Sequence, residues 1–243
     1  PADLGKAPDK GPLADRPSKP GPHLEKVKAL GDNAWVNLGK PAPDPRYGPG
    51  QGRAWSRKMA FAPDLRGAFI YGEGVHGAST KRGEREYYND ELYFYDINAH
   101  AWVCCYPGTP VDNPVIKLDP ETGFETNEKG EVIPVAVSRH AYWTPEYDTD
   151  LKKFMHMPTP ATPYWERKLG RFRPHLFPDG KANYELRPCR RPGSPYYWDP
   201  RTGIWERRKT TGVMPSCTAD NAFFYSPKIK KGVYIYNGTF LYD

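Results

Sequence analysis

Apolar residues along this chain come in short runs of about three to six, rich in aromatic and β-branched side chains, each closed by Gly, Pro, Asp or Asn. "GAFIY" at 67–71 and the aromatic-rich span "YNDELYFYDINAHAWVCCYPG" at 88–108 are typical. No amphipathic helical pattern lasts longer than about three turns. Short strands joined by many turns are therefore predicted throughout. The composition agrees: 28 prolines and 23 glycines punctuate a chain of 243 residues, and aromatics make up 14%, with 17 Tyr and 7 Trp. Residues 1–31 differ. They hold many prolines and almost no large apolar residue before Leu24, which predicts an extended arm lying on another surface, a partner's before this chain's own body. The body is expected to run over residues 32–243.

Two elements repeat within that body. In one, an aromatic–Asp pair is followed after five residues by Trp: Tyr95-Asp96 with Trp102, and Trp198-Asp199 with Trp205. This spacing predicts a hairpin in which the aromatic ends a strand, Asp caps the turn and Trp opens the return strand. A partial copy, "GDNAWVNLG", places Trp35 in the same kind of strand. The other element begins at Ser56, Ser138 and Ser216 and carries Ala60-Phe61, Ala141-Tyr142 and Ala222-Phe223, each followed by a proline (Pro63, Pro145, Pro227). The alanines recur at a step of 81 residues. Two strands, a turn and two further strands describe a four-stranded blade.

The Tyr95–Trp102 and Trp198–Trp205 spacings make the chain resemble the kelch-type β-propellers, the family that includes the galactose-oxidase-like central domains. The Gly-Gly that closes the inner strand in that family is replaced here by Gly72-Glu73-Gly74, by "HMP" and by Asn237-Gly238. The resemblance covers roughly residues 33–243 and implies an all-β fold of four-stranded antiparallel blades with long insertions at 109–137 and 158–193. It yields between two and three blades, whereas closure takes about four to eight. A partial propeller is expected, continued in a longer polypeptide or completed by other chains; the remaining alternative is a set of blade-like sheets that do not close.

Charge and candidate chemistry narrow the function classes. The net charge is +6 and the pI about 9.0, but Lys and Arg form no stripe interleaved with aromatics, so nucleic acid is not the expected partner. No run of about 18 apolar residues predicts a membrane span. A first residue that is not Met suggests signal removal or a sequence recorded only in part, and four cysteines are compatible with export; a secreted or periplasmic chain is expected. Cys104-Cys105 resembles the vicinal disulfide of propeller quinoprotein dehydrogenases, whose blades also carry a run similar to "DPRTGIW" at 199–205. The plainer expectation is alternation along a strand, with one thiol buried and the other near the surface or paired with Cys189 or Cys217. Gly72-x-Gly74-x-x-Gly77 matches the dinucleotide fingerprint, but the polar "ASTKRGEREYYND" that follows excludes the helix it requires. His23, His76, His100, His140, His156 and His175 show no metal-ligand spacing. No catalytic, cofactor or metal residue is assigned. The 158–193 insertion concentrates Tyr164, Trp165, Arg167, Arg171, Phe172, Arg173, Arg190 and Arg191, the composition of a protein interface or of a rim for an acidic glycan. The expected function is a non-catalytic binding or structural subunit of a larger assembly. The alternatives are part of a propeller oxidoreductase of the copper or quinoprotein type, or a secreted carbohydrate-binding module.

Overall fold

The computed structural model describes residues 11–50, 58–72, 79–110, 112, 117–119, 125–127, 129–134, 141, 143–157, 195–208, 210–212, 222–235 and 238–243. One short helix, α1 (His23–Lys28), precedes a series of strands. They are β1 (Ala60–Ala62), β2 (Gly67–Tyr71), β3 (Ser79–Arg82), β4 (Arg85–Tyr88), β5 (Leu92–Asp96), β6 (Ala101–Tyr106), β7 (Lys117–Leu118), β8 (Glu125–Thr126), β9 (Pro145–Asp148), β10 (Lys153–His156), β11 (Tyr196–Trp198), β12 (Trp205–Arg207), β13 (Ala222–Ser226), β14 (Lys231–Ile235) and β15 (Thr239–Tyr242). The chain is all-β. Its strands form a first sheet β1-β2-β5-β6, a second sheet β9-β10-β11-β12, a third sheet β13-β14-β15 and the separate hairpins β3–β4 and β7–β8, all antiparallel and none closed. Among the described residues no helix is long and apolar enough to cross a membrane.

Alternation along each strand assigns the faces. In the first sheet Ala60, Phe69, Phe94 and Val103 lie across from one another, and in the second Tyr147, Phe154, Trp198 and Trp205 do. These two rows meet. Phe69 packs at 5.5 Å from Phe154, 5.8 Å from Trp198 and 5.9 Å from Tyr147, ring centre to ring centre. The other face of the second sheet offers Met155 and Tyr197, which form a second core with Phe223 and Tyr234 of the third. Sheet thus stacks on sheet on sheet, with two cores between them. The first strands align as well: β9 lies against both β1 and β13.

The hairpins show how the sequence builds the turns. Tyr95 faces Trp102, and Trp198 faces Trp205. Asp96 Oδ1 accepts the Ala99 N–H at 3.0 Å, and Asp199 Oδ1 accepts that of Arg201 at 2.9 Å. Asp44 and Asp148 cap their own turns in the same way. These aspartates are turn formers.

Three expectations change, the simplest being Trp35, which lies in no strand and is 98% exposed. The 81-residue alanine step does not mark a common strand register, because Ala60 and Ala222 open strands while Ala141 lies before β9 and accepts the Thr144 N–H in a turn. What recurs instead is a cationic residue at positive φ closing the turn after each first strand: Arg66, Lys152 and Lys230. The arm also departs from its expected place on a partner. Residues 11–23 sit on this chain's own body. Leu13 is fully buried in the first core, and Arg16 pairs with buried Asp96 at 3.1 Å. The Gly21 N–H donates to Asn98 O at 2.8 Å, and His23 Nε2 meets Ile97 O at 2.7 Å. A single leucine and a row of polar contacts to turn backbone supply the anchoring that composition alone did not reveal.

Candidate functional site

The two ends of the sheet stack differ. The short turns, at 63–66, 97–100, 149–152 and 199–204, gather at the end where the arm docks. The long connections, 72–91, 107–144, 157–195 and 208–221, all leave from the opposite end. Loops raised on a rigid scaffold are where binding residues concentrate. The site lies at that end, where the ends of the first and second sheets meet.

The chain leaves β2 at Tyr71, passes through the β3–β4 hairpin and re-enters at Asn89-Asp90-Glu91 before β5. That short polar entry is buried together with Arg82. The Arg82 guanidinium lies 2.9 Å from the Glu91 carboxylate and donates to Asn89 Oδ1 at 3.0 Å and Pro107 O at 2.9 Å. Buried charge is tolerated only with such pairing and hydrogen bonding. Asp90 takes the other side, where its two oxygens accept the Thr109 N–H at 2.7 Å and the Thr109 hydroxyl at 2.6 Å. Gly108, at φ 109°, is required there, because a Cβ would run into Tyr88 O and come within 3.0 Å of Asp90 Oδ1.

Tyr71 faces this network from the first sheet, and His156 approaches from the second, with ring centres 4.5 Å apart. His156 Nδ1 lies 3.0 Å from the Thr144 hydroxyl. Tyr196 accepts a hydrogen bond from Arg207 at 2.9 Å. The Tyr71 hydroxyl is buried and finds no hydrogen-bond partner among the described residues. Burial first, and then the charges of Asp90 and its neighbours, hold the Tyr71 phenol well above its ordinary range. Burial pushes the Asp90 carboxyl up to about 7, Glu91 adding to the effect and the two Thr109 hydrogen bonds opposing it. The cluster can therefore hold a proton near neutrality. Among the described residues no group of three or more His, Cys, Asp or Glu is placed to bind a metal ion.

A pH dependence follows. Asp90 has a folded value of about 7, against about 3.9 for a free Asp side chain. The folded state holds the extra proton between those values, so the stabilisation is fully present below the lower one and is lost as pH rises through the upper one. Asp90→Asn is expected to remove a fall of the order of 1 kcal/mol per pH unit between about pH 4 and 7. Urea midpoints measured across that range check it; parallel curves for the variant and the unaltered chain would contradict it.

Of the interface and repeat residues singled out from the sequence, only Trp205 reaches this cluster among the described residues, its ring centre 5.6 Å from that of Tyr71. Tyr95, Asp96 and Trp102, like Trp198, Asp199 and Trp205, belong to the two outer hairpins, and the Asp turns face the arm. Tyr164, Trp165, Arg167, Arg171, Phe172, Arg173, Arg190 and Arg191 lie outside the described residues, as do Cys189 and Cys217. Cys104 and Cys105 are both free and both buried. The expected near-surface thiol does not arise. Segment 42–50 covers that face of the first sheet, with Asp44 Oδ2 accepting the Cys104 N–H at 2.9 Å. Burial pushes the Cys104 thiol up to about 12 and the Cys105 thiol well above its usual range, so neither is poised as a nucleophile. The Arg82–Glu91–Asp90 network had no sequence signal, since "KRGEREYYNDE" reads as a solvated charged loop. Compared with known proteins, the chain matches no family model, no curated protein and no solved structure.

Proposed function

We propose that this chain is a non-catalytic binding and structural module of a larger assembly, its three stacked sheets being successive blades of an open, kelch-like propeller. The observation that carries this reading is the outer face of the third sheet. Phe224, Val233 and Leu241 lie in one row across it, with Ala222 and Ile235 in the next. Phe224 is 38% exposed, Ile235 45% and Leu241 64%. In the first and second sheets the corresponding apolar rows are covered by the next sheet. At the other end of the stack the chain caps itself. Ala42 pairs alongside β6, the Tyr93 hydroxyl donates to Tyr47 O at 3.2 Å, and Gly50 lies against Trp102. One end is thus closed by the chain and the other presents exposed apolar residues around Val233, itself 8% exposed, a feature of interaction sites. The stacking rule of this molecule says what fits there: another antiparallel sheet with an aromatic and aliphatic face, supplied by another protein subunit or by further residues of the same polypeptide.

Leu241→Lys puts a charge on that face, at its most exposed apolar residue on edge strand β15. In the native assembly it is expected to release the chain as a smaller species in size-exclusion chromatography with light scattering. Ile204→Lys, on the exposed β11–β12 turn, is the matched control and is expected to leave the assembly intact. Identical profiles for the two variants would count against the proposal.

A further inference from the structure

A cleft of about 270 Å³ opens between the second and third sheets, at the short-turn end and away from both the bare outer face and the Tyr71–Asp90 cluster. Its walls include Asp148, Tyr197, Arg208, Tyr225, Lys230 and Tyr242. We propose that this cleft binds a single neutral sugar ring.

Size is the first argument. Sites for drug-sized ligands run from about 300 to 1,000 Å³, so this cleft takes one small ring and not an extended chain. Charge is the second. The lining balances in formal charge, with the carboxylates of Asp148 and Asp150 against the cations Arg208 and Lys230, while Asp243, also at the cleft, is paired with Lys231 at 2.5 Å. With opposite charges matched, neither a strong anion nor a strong cation is selected. A ligand whose groups both donate and accept hydrogen bonds satisfies carboxylates, cations and phenols together, and hydroxyl groups do this.

The third argument is preorganisation. The Tyr225 hydroxyl donates to Asp150 Oδ2 at 2.7 Å, and Asp148 Oδ1 accepts the Asp150 and Leu151 N–H groups, so both carboxylates are held in place. The Tyr197 and Tyr242 phenols both line the cleft, and the Arg208 guanidinium lies 5.5 Å from the centre of the Tyr197 ring. Lys230, fixed at φ 55° on its turn, makes no ion pair with any described residue and is available to a ligand. Leu151 and Met155 supply the apolar surface that a sugar's C–H faces need.

The test uses the whole chain with glucose, galactose, mannose and N-acetylglucosamine as probes, read by saturation-transfer NMR and calorimetry. Inorganic phosphate and arginine serve as charged competitors. At least one sugar is expected to bind. Tyr242→Phe and Lys230→Asn (Asn tolerates the positive φ) are each expected to weaken it about tenfold, the equivalent of one hydrogen bond. Three results would overturn the proposal: no sugar bound at tens of millimolar, phosphate or arginine bound in its place, or sugar binding that neither variant changes. Thermal melts of both variants establish that they are folded.

Discussion

Glu91→Gln is expected to cost about 3–5 kcal/mol of unfolding free energy, because it leaves a buried guanidinium without its counter-charge. Arg82 and Glu91 are 1% and 0% exposed at their side chains, and their closest approach is 2.9 Å. Arg82 keeps its bonds to Asn89 and Pro107, so the loss is electrostatic and leaves the packing in place. Domains of ordinary stability hold about 5–15 kcal/mol in total, so one neutralised carboxylate removes a large part of it. Urea denaturation measures the change. The double replacement Arg82→Met with Glu91→Leu is expected to recover much of the loss, since it removes both desolvation penalties. A single-variant loss below about 1 kcal/mol would mean that the pair behaves as a surface ion pair.

Phe69→Ala is expected to cost a further about 3–5 kcal/mol by a separate mechanism, the cavity left by a core aromatic. Phe69 lies at the junction of the first and second sheets. Its ring touches Phe94 of its own sheet at 5.0 Å and three aromatic rings of the other. None of these rings is able to close the gap without moving a strand. Because the contact joins two sheets, the variant is expected to loosen the stack, with exchange protection falling in both β2 and β10. A loss confined to the first sheet would show that the two sheets are stabilised independently.

What the sequence discloses depends on how local the physics is. The aromatic-Asp-to-Trp hairpins are written in eight consecutive residues, because an Asp cap, a turn and a cross-strand aromatic pair need nothing from outside. The inner turns are less legible. Their shared feature is a positive φ at Arg66, Lys152 and Lys230, where Gly or Asn is the usual signal, and the alanine step that stood out instead spans units of different internal length. Composition does not decide where the arm docks because it averages over residues, and the one that matters, Leu13, is a single side chain. The buried polar cluster was invisible for a different reason. Asp90 meets Thr109, and Tyr71 meets His156, only after two sheets have formed and stacked.

The central claim is that the outer face of the third sheet is occupied in the working form of the protein. Hydroxyl-radical footprinting tests it by comparing the protein in its native assembly with the isolated chain. The account predicts that Phe224, Ile235 and Leu241 are oxidised in the isolated chain and protected in the assembly, while Ile204 and Trp35, which is 98% exposed, react equally in both. Equal oxidation of all five residues in the two forms would contradict it.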